Sequence, residues 1–71
     1  MNEVVTYIIQ IGGRVEVVEL NATGPVTVAV VEVGITRTLL SVCTDQSGLI
    51  GLLRHLHGLG YVILSASRIR S

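Results

Sequence analysis

Apolar residues in the second half of the chain recur with the period of an α-helix. Five leucines follow the i, i+3, i+4, i+7 rule and form one stripe: Leu49, Leu52, Leu53, Leu56 and Leu59. The spacing predicts a helix from Gln46 to Leu59. We expect Thr44 or Asp45 to cap its start, because either side-chain oxygen can accept from a free backbone N–H of the first turn. Gly60 stands where a left-handed residue would end the helix.

Four further segments are rich in β-branched residues and predict strands. They are Val4–Ile11, Val26–Val33, Ile35–Cys43 and Tyr61–Ile69. The second segment is apolar on both faces, which predicts a central strand or one covered on each side. In the last segment, strict alternation points Val62, Leu64 and Ala66 toward the helix. Tyr61 and Ile63 are then expected on the opposite face of the sheet.

The segment between the first two strands is ambiguous. Residues 14–17 alternate as a strand does, whereas Val17, Val18 and Leu20 would equally line a short helical turn. Residues 21–25 form a loop by composition. The whole pattern predicts a single α+β domain over residues 1–71. We expect a sheet of about four mainly antiparallel strands in β-β-β-α-β order, with one helix on one face, as a variant of the ferredoxin-like arrangement.

Composition favours a subunit that another chain completes. Of the 71 residues, 49% are apolar and only 14% are charged, so part of the surface is expected to be apolar. One helix can cover only one face of the sheet, and we therefore expect the opposite face to bind a second copy or a protein partner. The residues assigned to this interface are Val28, Val30, Gly51, His55, Tyr61 and Ile63.

Charge and aromatic content argue against other partners. Five arginines balance five acidic residues, so the basic excess that supplies affinity for nucleic acids is missing. Two tyrosines are the only aromatic residues and offer no stacking platform for bases. The N-terminus lacks the pattern of a signal peptide, and charged residues interrupt every apolar stretch. We expect no nucleic-acid binding, no membrane insertion and a cytoplasmic location.

Candidate chemical groups are not paired in the sequence. His55 and His57 lie two residues apart on the predicted helix and point about 200° away from each other, so they cannot chelate one metal ion. Cys43 precedes the helix start but has no base positioned to activate it. We therefore expect no catalytic residues, no metal and no cofactor. Gly51, inside the helix, fits either close approach by another backbone or a tolerated packing glycine.

The segment Thr-Asp-Gln-Ser-Gly-Leu-Ile-Gly-Leu-Leu-Arg at residues 44–54, with Leu-Gly-Tyr at 59–61 and Leu-Ser at 64–65, resembles the end of a group of short bacterial proteins. Those proteins end in D-Q-A-A-L-H-G-L-L, an L-G-L run and an L-S-V strand. Residues 7–15 are similar to their first strand. The resemblance departs in the middle, where those proteins carry a Trp-rich short helix. It implies a compact α+β fold and no established activity.

A more distant likeness is to ACT regulatory domains, in which D-x-P-G-L-L opens a helix that leads into a strand. Asp45, Gly48 and Leu49 match that pattern, and Ser47 replaces the proline. The resemblance implies that these three residues bind a small ligand, commonly an amino acid, near the helix start. Two functions are thus expected. The first is a non-enzymatic subunit that oligomerises or binds a protein through an apolar sheet face, and the alternative is an ACT-like regulatory module.

Overall fold

A computed structural model describes residues 3–69 as four strands and two helices in β-α-β-β-α-β order. Their bounds are β1 Val5–Gly12, α1 Val17–Thr23, β2 Val28–Val33, β3 Arg37–Thr44, α2 Gln46–Gly58 and β4 Val62–Arg68. Neighbouring strands are all antiparallel, and their order across the sheet is β2-β3-β1-β4. This connectivity is the ferredoxin-like, split β-α-β arrangement. The predicted α+β class is confirmed.

The second strand lies at an edge of the sheet, so its predicted central position was wrong. β1 and β3 occupy the centre, where Ile9, Ile11, Leu40 and Val42 are at most 1% exposed. The crossover through α1 carries the chain from β1 past the place of β3 to the edge. The valines that gave β2 its apolar pattern on both faces are therefore largely exposed.

The ambiguous segment forms the short helix α1. Leu20 is its buried residue, at 1% exposure, while Val18 on the outer side is 86% exposed. The Asn21 side chain ties the helix to the start of β2, because its Nδ2 donates to the carbonyl of Val28 (3.0 Å) and its Oδ1 accepts from the Val28 N–H (2.8 Å). The predicted β-β-β-α-β order therefore lacked one helix.

Both helices cover the same face of the sheet. Leu20 of α1 and the fully buried Leu52 and Leu56 of α2 belong to one core cluster with the inward side chains of β1 and β3. The predicted helix is confirmed to within one residue, since α2 spans Gln46–Gly58. Asp45 caps it, and Gly60 follows with a φ of +90°, the region that favours glycine. Leu59 does not continue the buried stripe, because it is 48% exposed at the C-cap.

A bulge changes the facing of β4. Gln10 of β1 pairs with Ser65. The next residue, Ile11, pairs with Ile63, so Leu64 is the extra residue on β4. Side chains opposite each other in register share a face, which places Ile63 beside the buried Ile11 under the helices.

The predicted facing of β4 was therefore wrong on the N-terminal side of the bulge. Ile63 and Tyr61 pack against the core, whereas Val62 and Leu64 are 61% and 51% exposed on the opposite face. Strict alternation cannot hold across a bulge, because the extra residue shifts the period by one. Beyond the bulge the prediction holds, since Ala66 pairs with the buried Ile9.

Candidate interaction surface

The three residues assigned to ligand binding by the ACT likeness lie together at the start of α2. Asp45 Oδ1 accepts from the Gly48 N–H at 2.8 Å, which is a helix-capping bond. A side chain on Gly48 would overlap the Thr44 hydroxyl and lie 3.3 Å from Asp45 Oδ1. Leu49 is half-buried against the core. Each residue thus has a structural task at the helix start.

The two described cavities lie away from that helix start. One, of about 640 Å³, lies between the beginning of β1 and the end of β4, where Cys43, Arg68 and Glu3 are among its lining residues. The other, of about 450 Å³, lies at the β2–β3 turn, between Arg14 and Ile35. Neither is lined by residues 45–49.

Most of the apolar residues assigned to the interface belong to the interior instead. Val28 is 3% exposed on the side that faces the helices. Ile63 and Tyr61 also pack there, and the Tyr61 hydroxyl accepts from the Glu16 N–H at 3.2 Å. Val30 is 42% exposed at the sheet edge, but it pairs with the buried Leu40 and so lies on the helix side as well. The placement of these residues on the uncovered face was therefore wrong. The bulge in β4 accounts for the error at Tyr61 and Ile63.

The remaining two assigned residues, Gly51 and His55, mediate contacts between segments of this same chain. A Cβ on Gly51 would lie 3.5 Å from Pro25 Cγ, so its close approach is to the loop after α1. His55 Nε2 lies 3.0 Å from Thr23 Oγ1, and that hydroxyl donates to the Glu19 carbonyl. The ring N–H of His55 therefore donates to Thr23, which joins the two helices.

The face of the sheet opposite the helices has no cover within residues 3–69, and we call it the open face. It comprises Thr6, Ile8, Gln10 and Gly12 of β1, Ala29 and Glu32 of β2, Arg37, Leu39, Ser41 and Cys43 of β3, and Val62, Leu64, Ser65 and Ser67 of β4. These positions alternate with the buried residues of the same strands, and β4 adds the bulged Leu64.

The centre of the open face is uncharged. This centre is Ile8, flanked in register by Ser41 on β3 and Ser67 on β4. The charged residues of the face are Glu32, opposite Leu39, and Arg37, opposite Gly12, which carry opposite signs at one end of the sheet. Apolar and small polar side chains without charge at the centre are typical of protein–protein interfaces.

The exposed side chains of the edge strand β2 are also apolar, apart from Glu32. Val30, Val31 and Val33 are 42%, 56% and 56% exposed. The turn that follows presents Ile35 at 97% exposure, held by a bond from the Gly34 N–H to the Arg37 carbonyl at 2.7 Å. The register places Val30 and Val33 on the helix side of the sheet, opposite the buried Leu40 and Thr38. The unpaired N–H and C=O groups of an edge strand are a template for pairing with another chain.

The candidate chemical groups lie apart from one another. Cys43 is exposed on the open face, and His57 is exposed near the end of α2. Within residues 3–69, no group of three His, Cys, Asp or Glu side chains is placed to hold a metal ion. In the same residues, no helix has the length and apolarity that crossing a membrane requires.

Comparison of the chain with protein-family models, with curated proteins and with solved structures gave no match. The sequence predicts an uncovered sheet face, but Val28, Tyr61 and Ile63, which it assigns to that face, lie on the other side of the sheet. The exposed side chains of Val62 and Leu64 identify the uncovered face.

Proposed function

We propose that this protein is a non-enzymatic subunit that self-associates through the open face. The observation that carries the proposal is a wide sheet face with an uncharged centre, on which Val62 and Leu64 are 61% and 51% exposed. Fully burying a side chain of this size stabilises a structure by about 1.5–3 kcal/mol, so covering the exposed half of each contributes roughly 1 kcal/mol. Ile8 and Leu39, both half-buried, add to the apolar area that a partner would cover.

The open face is complementary to the same face of a second copy. In a two-fold interface the same patch occurs on both subunits, so residues near the axis meet their own copies. A charged centre would then oppose like charges, whereas the centre here holds Ile8 between two serines. The single positive and single negative residue at one end of the sheet leave the face without a net charge that would select a charged partner.

The positions of the reactive groups support a non-enzymatic role. Asp45 and His55 lie ten residues apart along α2, a distance of about 15 Å at the rise of a helix. Asp45 is engaged in capping, and His55 is engaged with Thr23. Cys43 lies on the open face and His55 lies on the helix side, so the sheet separates them and no proton passes directly between them.

Charge placed at the centre of the open face should separate the subunits. Ser41→Arg adds a long cation beside Ile8 and removes no apolar packing, so the monomer fold should persist. Val18→Arg is the matched control, because that residue is 86% exposed on α1, away from the open face. Sedimentation equilibrium should show a lower mass for Ser41→Arg and an unchanged mass for Val18→Arg. A wild-type monomer at several hundred micromolar would refute the proposal.

The alternative, an ACT-like regulatory module, gains support from one observation. Helix α1 supplies a second β-α-β half, so the element order is that of a complete split β-α-β domain. A ligand at Asp45, Gly48 and Leu49 would raise the melting temperature in proportion to the logarithm of its concentration. A melting series with the amino acids tests this, with Asp45→Asn as the variant that should lose the response. Unchanged melting at millimolar concentrations would exclude such a ligand.

A further inference from the structure

The two edges of the sheet differ in how well they are protected against pairing with another strand. Natural edge strands carry basic residues, proline or ion pairs that discourage association. β4 has this protection, because its Arg68 is 3.8 Å from the carboxylate of Glu3. β2 has no basic residue and no proline, and Glu32 is its only charge.

Apart from Glu32, the exposed side chains of β2 are apolar. Val30, Val31 and Val33 are exposed, and so is Ile35 at the turn. Two features oppose pairing. A bulge between Val30 and Glu32 increases the local twist, and the Asn21 side chain already bonds the N–H and the carbonyl of Val28 at the start of the strand. β4 carries a bulge as well, so the bulge does not favour either edge over the other. Pairing would therefore involve β2 from Val30 onward.

We infer that β2 pairs antiparallel with β2 of a second copy about a two-fold axis, so that two sheets join into one of eight strands. Antiparallel pairing continues the pattern of the existing sheet, in which all neighbours are antiparallel. The two-fold axis is perpendicular to the sheet, so both open faces lie on the same side. Glu32 meets its own copy only in the register centred on it, and every other register places it opposite an apolar or small residue.

The size of the open face supports this arrangement. Four strands about 4.8 Å apart, with about seven residues rising 3.4 Å each, span roughly 19 by 24 Å, or about 450 Å². A stable interface buries about 800 Å² on each partner, which one open face alone does not reach. Two open faces side by side offer about 900 Å² and do. The assembly is then two edge-paired dimers stacked through their open faces, and this second step rests on the proposed function.

Variants of the edge and of the face separate the two interfaces. Val31→Lys combined with Val33→Lys places two cations on the edge, at positions that are each 56% exposed. Val18→Lys is the control for added charge on an exposed valine. Native mass spectrometry should give four chains for the wild type and for Val18→Lys, two for the edge variant, two for Ser41→Arg, and one when edge and face changes are combined.

The outcomes distinguish this inference from the proposed function. An edge variant with the wild-type mass overturns the β2 pairing, and so does a Ser41→Arg variant that is monomeric with its edge intact. A mass that falls with the edge variant but not with Ser41→Arg supports the pairing and refutes the role of the open face.

A measurement on the unmodified chain keeps the test independent of how the variants fold. Amide hydrogens of β2 beyond Val28 that point away from β3 should exchange about 100-fold more slowly at high protein concentration than at low concentration, while outward amides of β4 should not change. The Val28 amide is not informative, because it is bonded to Asn21 in the single chain. Equal rates for the β2 amides at both concentrations, or a wild-type monomer, would overturn the inference. Capture of a different protein's strand in place of a second copy would also overturn it.

Discussion

Replacing Leu56 by alanine should destabilise the fold far more than the same replacement at Leu59. The two leucines belong to one stripe in the sequence, but Leu56 is fully buried and Leu59 is 48% exposed. Leu→Ala removes three carbon groups worth about 0.8 kcal/mol each, or about 2.4 kcal/mol when the side chain is fully buried. The unfilled cavity raises the loss at Leu56 to about 3–4 kcal/mol. At Leu59 only about half of this transfer free energy is lost and no enclosed cavity forms, so the expected loss of stability is about 1 kcal/mol.

The difference should be large in an unfolding experiment. A domain of this size has a stability of about 4–11 kcal/mol at 0.05–0.15 kcal/mol per residue. With a urea dependence of about 1 kcal/mol per molar, Leu56→Ala should lower the midpoint by about 3 M and Leu59→Ala by about 1 M. Circular dichroism at 222 nm follows both, at one protein concentration, because self-association would itself shift the midpoint. Equal shifts for the two variants would refute the placement of α2 on the sheet.

Three further changes test local features. Asp45→Ala removes the side chain that caps α2 and should cost about 1 kcal/mol; an unchanged urea midpoint would show that the cap does not stabilise the helix. Gly60→Ala should destabilise by about 1 kcal/mol, because Gly60 has a φ of +90°. Its control, Gly58→Ala, meets no atom within 4 Å and should instead stabilise the helix by up to about 1 kcal/mol; melting temperatures that move in the same direction would contradict both assignments. Ile63→Arg should unfold the chain, because Ile63 packs under the helices. Circular dichroism and sedimentation test this; a variant that is folded but dissociated would show that Ile63 lies on the open face instead.

The features predicted correctly depend on residues close together in the sequence. Helix α2 follows from leucines spaced three and four apart, and its start follows from Asp45, whose carboxylate bonds to the N–H three residues later. The facing of β3 follows from its alternation, since Leu40 and Val42 are buried as expected. Local chemistry decides each of these outcomes.

The features that were missed depend on contacts between distant residues. Helix α1 has only seven residues, too short for a clear period, and it is held by the burial of Leu20 and by the bonds from Asn21 to Val28. The edge position of β2 follows from the crossover that this helix makes. No residue type marks the bulge at Leu64, which reversed the expected facing of Tyr61 and Ile63.

The most direct test of the open face is the exposure of its methyl groups in solution. A soluble paramagnetic probe broadens NMR signals of side chains that it can reach, and the chain offers Leu64 on the open face and Val18 on the outer side of α1, at 51% and 86% exposure. As protein concentration rises from micromolar to millimolar, broadening of the Leu64 methyls should fall several-fold while that of Val18 stays constant. Constant broadening at Leu64 over the whole range would contradict the claim that a second copy covers this face.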